Sequence, residues 1–202
     1  MKVIGITGAS GSGKTTISEI LDQRPDTKII NADKMAKELT NSETEYLAEI
    51  KNVFEGKNVF FENGDLNRKA LANLIYNNNA ELEKLNSLTF KHLIPKIVNE
   101  INNVTSEIKI VIIDAPLLFE SGLDKYCDSI ITFSVPDSLK IDRICNRDNI
   151  SKDTAKSRLK IQNNNDFYMA KSDYVIINDE NTTIEELEHK INEIINRKLE
   201  GK

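Results

Sequence analysis

Residues 8–16 read Gly-Ala-Ser-Gly-Ser-Gly-Lys-Thr-Thr and match the pattern G-x-x-x-x-G-K-[ST] in full. An apolar run, Val3–Thr7, precedes this stretch, and a segment with Ile17, Ile20 and Leu21 on one face follows it. A strand, a glycine-rich loop and an amphipathic helix in this order are the context that the pattern requires. The stretch therefore predicts a phosphate-binding loop and, with it, the P-loop fold.

The fixed positions of this loop each have a physical role in holding the phosphates of a nucleotide. Glycine permits backbone conformations that turn successive N–H groups into one concavity, and the positive end of the following helix adds to it. In this chemistry Lys14 reaches the β- and γ-phosphates, and the hydroxyl of Thr15 binds Mg²⁺. The implied ligands are therefore ATP and Mg²⁺. The predicted nucleotide-binding residues of the loop are Gly8, Gly11, Ser12, Gly13, Lys14, Thr15 and Thr16.

Four more apolar runs predict the remaining strands of a parallel sheet. Because most of them are continuous rather than alternating, helices should cover both faces of the sheet. The predicted fold class is α/β, a P-loop NTPase fold with a five-stranded parallel sheet flanked by helices, the last of them near Thr182–Leu199. The four runs are Lys28–Asn31, Ile110–Asp114, Ser129–Ser134 and Tyr174–Asn178.

The spacing between the second and third strands indicates an inserted subdomain. Residues 34–108 carry little strand signal, and they are far more numerous than a crossover helix requires. We predict that they form a helical acceptor-binding subdomain, and that residues 1–33 and 109–202 form the nucleotide-binding core. The helices predicted inside the insertion lie near Glu43–Phe54, near Arg68–Tyr76 and from Ala80 towards Asn102.

A second unusual segment, about residues 146–166, is polar and basic. Ser151 is a suitable N-cap for a short helix there, and a helix between polar turns is typical of a mobile lid. A solvated surface helix has the same composition. Lys140, Arg143 and Arg147 form a basic stripe on the helix that leads into this segment. The stripe is suited to phosphates, although a solvated face is the alternative.

Two carboxylates follow predicted strands, where ligands of open α/β sheets bind. Asp33 comes directly after the second strand and could accept the proton of an attacking hydroxyl, or cap a helix that begins at Lys34. Asp114 ends the third strand and could hold Mg²⁺, or cap the turn at Ala115. The strings DxxG, NKxD and LSGGQ are absent, which argues against a switch GTPase and a transporter ATPase. A small-molecule kinase is the remaining class.

The sequence resembles the dephospho-coenzyme A kinases over nearly its whole length, and the run Pro-Leu-Leu-Phe-Glu at 116–120 is the most specific part of that resemblance. The other matching parts are the phosphate loop, Asn31-Ala32-Asp33 where the family has DAD, residues 64–76, Leu85-Asn86, the lid positions Arg143, Arg147, Arg158 and Gln162, and Ser172–Asn178.

The resemblance implies ATP-dependent phosphorylation of the ribose 3′-hydroxyl of dephospho-coenzyme A, the last step of coenzyme A synthesis. Asp33 would be the base, and Lys14, Arg143 and Arg147 would complete the catalytic set. Asn178 would belong to the nucleotide site. The residues expected to bind the acceptor are Arg68, Asn86, Leu117 and Glu120.

The sequence also departs from the family pattern. Ala9-Ser10 replaces Gly-Ile, a form more familiar from uridine kinases, so a nucleoside kinase is the alternative. Asn31 and Asn67 replace aspartates, and Phe90-Lys91 stands where the family has His-Pro. The loop and the candidate base remain intact.

Composition limits the partners and the location. With 27 basic and 32 acidic side chains the net charge is −5, which favours neither nucleic acid nor an anionic membrane. Two cysteines without metal-ligand spacing, and no apolar stretch of about 20 residues, predict a reducing, cytoplasmic setting with no membrane span. The expected partners are therefore the small molecules ATP and, as the resemblance implies, dephospho-coenzyme A. The sequence does not indicate an oligomeric state.

Overall fold

A computed structural model describes residues 1–40 and 44–200 of the chain. Within them, five parallel strands form one sheet in the order β2-β3-β1-β4-β5. The predicted α/β class and its five-stranded parallel sheet are confirmed, and the strand that leads into the glycine-rich loop lies at the centre. The strands are β1 (Lys2–Thr7), β2 (Thr27–Asn31), β3 (Ile110–Asp114), β4 (Ser129–Ser134) and β5 (Tyr174–Ile177).

Helices account for most of the rest of the described residues, and a short 3₁₀ helix spans Leu123–Tyr126. The helix predicted near Glu43–Phe54 begins at Glu45, while Glu43 itself lies outside the described residues. The α-helices are α1 (Lys14–Asp22), α2 (Ala32–Glu38), α3 (Glu45–Val53), α4 (Arg68–Tyr76), α5 (Asn79–Asn102), α6 (Asp137–Asp148), α7 (Lys152–Lys160), α8 (Asn165–Lys171) and α9 (Ile184–Leu199). None of these helices combines the length and the apolar character that crossing a membrane requires.

The core is built on both faces of the sheet, as the continuous apolar strands predict. All five residues of β3 are buried, and β4 is buried along its whole length. Helices α1 and α9 supply the side chains that cover one face, among them Ile17, Leu21 and Ile191, none of which is exposed. Burying β-branched and leucine side chains contributes about 1.5–3 kcal/mol each, so these layers hold the loop at the end of β1 in place.

The chain divides into two compact units, Met1–Asn31 with Glu100–Lys202, and Ala32–Asn99. The sequence places the boundaries of the insertion at residues 34 and 108, whereas the second unit begins at Ala32 and ends at Asn99. Asp33 therefore belongs to the second unit. That unit is mainly helical, and its buried polar contacts include the bond between the hydroxyls of Tyr46 and Thr89, 2.8 Å apart.

Candidate active site

Polar residues that end the strands lie along one edge of the first unit. Because the strands are parallel, their carboxyl ends point the same way. Thr7 ends β1 and leads into the glycine-rich loop, while Asn31 at the end of β2 is paired in register with Asp114 at the end of β3. The edge therefore brings together the loop and the candidate metal ligand.

Lys14 is folded into the glycine-rich loop rather than extended into solvent. Its ammonium donates to the carbonyl oxygens of Gly8 at 2.6 Å and Ala9 at 3.0 Å, and to the hydroxyl of Ser12 at 3.3 Å. The side chain is 8% exposed. These partners are neutral oxygens, and an ammonium makes stronger hydrogen bonds to charged phosphate oxygens. The arrangement places a cation in the loop where the sequence predicts it.

Gly13 fixes the junction between the loop and α1. It has φ 96°, a left-handed conformation that disfavours every L side chain, and a Cβ there would lie 2.1 Å from Nδ2 of Asn178. That amide donates to the carbonyl oxygen of Ser12 at 2.9 Å and is buried, directly after β5. Asn178 thus supports the loop from the side that faces the protein interior. Thr15 is exposed and Thr16 is half-buried in the first turn of α1.

Arg143 reaches the same part of the loop from α6. Its Nη1 lies 3.4 Å from the carbonyl oxygen of Gly11, and its Nη2 lies 3.4 Å from Oδ1 of Asn178. Burial lowers the pKa of the Arg143 guanidinium, and the charge of Asp179 partly opposes this effect. The structure therefore brings together Arg143, Asn178 and the phosphate loop, three features that are far apart in the sequence.

Asp114 is held by two side-chain donors. Its Oδ2 accepts from the hydroxyl of Ser18 at 2.8 Å and from the amide of Asn31 at 3.0 Å, and the residue is 4% exposed. The backbone N–H of the next residue, Ala115, donates to the carbonyl oxygen of Ile6 at 3.1 Å. Ser18 is not among the predicted site residues, and its sequence signal is a polar residue on the buried face of α1.

A metal at this edge would be bound by few protein ligands. Among the described residues, no group of three or more histidine, cysteine, aspartate or glutamate side chains could hold a metal ion. The predicted ligands, Thr15 and Asp114, offer hydroxyl and carboxylate oxygens. Such hard donors fit Mg²⁺, which keeps several waters and is usually bound through one or two protein oxygens together with substrate phosphates.

Asp33 lies in the first turn of α2, which begins at Ala32. The interpretation of Asp33 as the N-cap of a helix that begins at Lys34 is therefore wrong, because the helix begins two residues earlier. A negative side chain in the first turn is favoured by the helix dipole. The carboxylate is exposed, which leaves it accessible to a substrate hydroxyl.

Of the three cations in the predicted basic stripe, Lys140 faces inward. It is 2% exposed, and its ammonium donates to Oδ1 of Asp137 at 2.9 Å and to Oδ1 of Asn165 at 2.6 Å. The prediction that Lys140 shares a surface stripe with Arg143 and Arg147 is wrong, because these two partners compensate for its burial.

Arg147 contacts a carboxylate that the sequence analysis did not single out. It donates from Nε and Nη2 to the two oxygens of Asp148, at 2.7 and 2.8 Å, and Arg158 donates to the same carboxylate at 2.5 Å. Hydrogen bonding from Arg147, with the charges of both arginines, lowers the pKa of Asp148. The shared carboxylate therefore links the last turns of α6 and α7. The predicted N-cap of α7, Ser151, is confirmed.

The residues expected to bind the acceptor are divided between the two units. Arg68 begins α4 and donates to the carbonyl of Lys37 at 3.4 Å and to the hydroxyl of Thr40, and Asn86 is half-buried in α5. Leu117 and Glu120 lie in the first unit, after β3. Leu117 is half-buried, and Glu120 accepts from the amide of Asn163 at 2.6 Å.

Comparison with known proteins identifies the family. The family model of dephospho-CoA kinases matches residues 2–184. A dephospho-CoA kinase of Fusobacterium nucleatum is 35% identical over 192 residues, covering 94% of each chain. Among solved structures, a dephospho-CoA kinase from Campylobacter jejuni is 27% identical with a TM-score of 0.67, covering 98% of each chain.

A Thermus thermophilus protein shares the fold, with a TM-score of 0.78 at 23% identity and 97% of each chain covered. The alternative of a uridine-type nucleoside kinase finds no support in these comparisons. The match to the family model extends through both units and the phosphate loop, so the chain belongs to the dephospho-CoA kinase family.

Proposed function

We propose that this chain transfers the γ-phosphoryl group of ATP to the ribose 3′-hydroxyl of dephospho-coenzyme A, giving coenzyme A and ADP. A bond forms between the 3′ oxygen and the γ-phosphorus, the bond to the β–γ bridging oxygen breaks, and the hydroxyl proton is accepted by a carboxylate. The observation that carries the proposal is the phosphate loop with Lys14 and Asp114 at one sheet edge, in a chain of this family.

The loop binds the ATP phosphates through its backbone N–H groups and through Lys14. The lysine exchanges the neutral carbonyls of Gly8 and Ala9 for phosphate oxygens, which carry charge and bind an ammonium more strongly. Asn178 acts from behind the loop by holding the carbonyl of Ser12, so the adjacent N–H groups keep their direction. Arg143 lies close enough to the loop to stabilise charge on the transferred group.

Thr15 and Asp114 are the residues that would hold Mg²⁺ beside these phosphates. The ion would neutralise charge on the phosphate oxygens when bound with ATP. Ser18 and Asn31 orient the Asp114 carboxylate through its Oδ2. Their contribution is to keep one rotamer of that carboxylate available before the nucleotide arrives.

Asp33 accepts the proton of the 3′-hydroxyl, and the second unit binds the acceptor with Arg68 and Asn86. In the first unit, the family pattern also assigns acceptor binding to Leu117 and Glu120, which lie in the loop after β3. Arg147 contributes from the lid by exchanging the Asp148 carboxylate for phosphate. Each of these roles follows from the type of side chain and its position in the family pattern.

The test is acceptor-dependent ADP release with ATP and Mg²⁺, comparing dephospho-coenzyme A with uridine. Asp33→Asn should abolish transfer while ATP affinity stays near that of the wild type. Asp166→Asn is the matched control, since Asp166 also lies in the first turn of a helix and is exposed. Turnover with uridine but not with dephospho-coenzyme A would refute the function. Full turnover of the Asp33 variant would refute the proposed base.

A further inference from the structure

The turn that leaves the lid helix α7 is tied to three parts of the first unit. This lid-exit turn, residues 161–165, reads Ile-Gln-Asn-Asn-Asn and ends at the first residue of α8, and its composition alone is that of an exposed loop. Instead, Asn163 donates to Glu120 at 2.6 Å and Asn165 donates to the carbonyl of Val135 at 2.9 Å. Gln162 makes the third connection, which reaches the phosphate loop.

Both polar atoms of the Gln162 amide bind a single residue, Ser10. The backbone N–H of Ser10 donates to Oε1 at 2.9 Å, and Nε2 donates to the Ser10 hydroxyl at 3.0 Å. The backbone N–H can only donate, so the amide oxygen must face it and the amide nitrogen must face the hydroxyl. The orientation of the amide is thereby fixed, and the two contacts together restrain both the backbone and the side chain of Ser10, which is 7% exposed.

Ser10 lies in the phosphate loop directly before two residues that other parts of the first unit support. Asn178 holds Ser12, and the backbone of Lys140 packs against Gly11, where an added Cβ would lie 2.8 Å from its carbonyl oxygen. Those supports come from β5 and α6. Gln162 differs from them because it comes from the end of the lid helix, two residues after Lys160, so the position of the lid and the conformation of the loop are connected through it.

We propose that Gln162 is a positioning residue that couples the lid to the phosphate loop, with the Ser10 hydroxyl as its partner. The inference rests on the proposed ATP site, and it concerns the loop rather than the acceptor. When the amide holds Ser10, the loop keeps the conformation that receives ATP. Without this contact, ATP binding must also order the loop and the lid-exit turn. The free energy of that ordering lowers the affinity for ATP and leaves the phosphoryl-transfer step unchanged.

The test compares Gln162→Met, Ser10→Ala and the double variant with the wild-type enzyme. Methionine keeps the length of the side chain and removes both hydrogen bonds, whereas Ser10→Ala removes only the hydroxyl contact. We expect the Kd and KM for ATP to rise about tenfold in Gln162→Met and about threefold in Ser10→Ala. The kcat and the KM for dephospho-coenzyme A should stay within about twofold. The double variant should have the same ATP affinity as Gln162→Met. Once the Gln162 amide is removed, the Ser10 hydroxyl has no hydrogen bond to it that a second substitution could remove.

Gln23→Ala is the control, since Gln23 is the other glutamine of the chain and is exposed at the end of α1. It should leave both KM values unchanged. A loss of kcat with unchanged ATP affinity, an equal rise in both KM values, or multiplicative effects in the double variant would overturn the coupling. If Gln162→Met does not fold, Ser10→Ala alone tests the coupling. An unchanged Kd for ATP in Ser10→Ala would then refute the proposal.

The Kd is measured by titration with a fluorescent ATP analogue in the absence of acceptor. A wild-type enzyme that binds ATP but shows no turnover with dephospho-coenzyme A would contradict the proposed function. The coupling between Gln162 and Ser10 would still be decided by the binding constants of the variants.

Discussion

Replacing Lys140 with methionine should lower the stability of the protein by about 1–2 kcal/mol, although methionine is the more apolar side chain. Lys140 is 2% exposed and donates to Asp137 and Asn165. The ion pair with Asp137 contributes little, because the Asp137 side chain is 83% exposed and an exposed carboxylate is well solvated without its partner. The Asn165 contact decides the outcome.

The amide oxygen of Asn165 would lose a charged donor at 2.6 Å. A half-buried acceptor left without that donor costs about 1–3 kcal/mol, and methionine recovers part of this because no ammonium has to be desolvated. For a protein of this size a loss of 1–2 kcal/mol corresponds to a fall in Tm of about 2–8 °C. Lys140→Ala should cost about 2 kcal/mol more, since it also leaves a cavity.

Urea unfolding is the appropriate assay, with the midpoints compared at constant slope. Lys156→Met is the matched control, because Lys156 is exposed on α7 and its replacement should change the free energy of unfolding by less than about 0.5 kcal/mol. If Lys140→Met were as stable as the wild type, the free energy gained by removing the buried charge would equal the free energy lost with the hydrogen bonds. The assignment of Asn165 as the deciding contact would then be wrong.

Three further outcomes test the site and its surroundings. Gly13→Ala should weaken ATP binding in a titration, since φ 96° and a Cβ 2.1 Å from the Asn178 amide together cost about 2–3 kcal/mol; unchanged affinity would contradict this. Burial raises the pKa of the Cys127 thiol to about 12, so alkylation at pH 8, followed on its peptide by mass spectrometry, should be slow until urea unfolds the chain. Because Arg147 and Arg158 hold the pKa of Asp148 below its ordinary value, Asp148→Asn should destabilise the protein at pH 7. The difference from the wild type should shrink as the pH falls below the ordinary range of an aspartate, and a difference that did not change with pH would exclude the ion pairs as its cause.

The phosphate loop and the sheet could be predicted from sequence because their signals are local. Residues 8–16 follow a strand and precede a helix, and the prediction needed no knowledge of distant residues. The predicted helix Arg68–Tyr76 agrees with α4 for the same reason, since its N-cap, Asn67, lies next to it and accepts from the N–H of Ala70.

The contacts that complete the site could not be predicted, because they join residues that are far apart in the chain. The spacing of Lys140 from Arg143 and Arg147 is that of a surface stripe. Only the position of Asn165 on α8 explains why Lys140 faces inward. Asn163 in the lid-exit turn has the composition of a mobile loop, yet it binds Glu120. Spacing within one helix gives the face of a residue but not the partner that the fold brings to that face.

Asn31 offers the sharpest test of how the Asp114 carboxylate is held. Its amide donates to Oδ2 at 3.0 Å, and Asn31→Asp would place a second carboxylate from a half-buried position beside the buried Asp114. Two carboxylates so close cannot both be ionised without a large cost, so the native protein would bind a proton there that the unfolded chain releases.

Stability of Asn31→Asp should therefore fall at pH 7 by more than that of Asn31→Ala, which removes the same hydrogen bond without adding charge. Because a pKa raised by the second carboxylate belongs to the native state, the deficit should be larger at pH 7 than at a lower pH, where binding of a shared proton becomes more favourable. Urea midpoints of both variants at pH 5 and pH 7 measure this. Equal losses for the two variants at both pH values would mean that Asn31 acts on Asp114 through shape alone, and not by supplying a neutral donor to its charge.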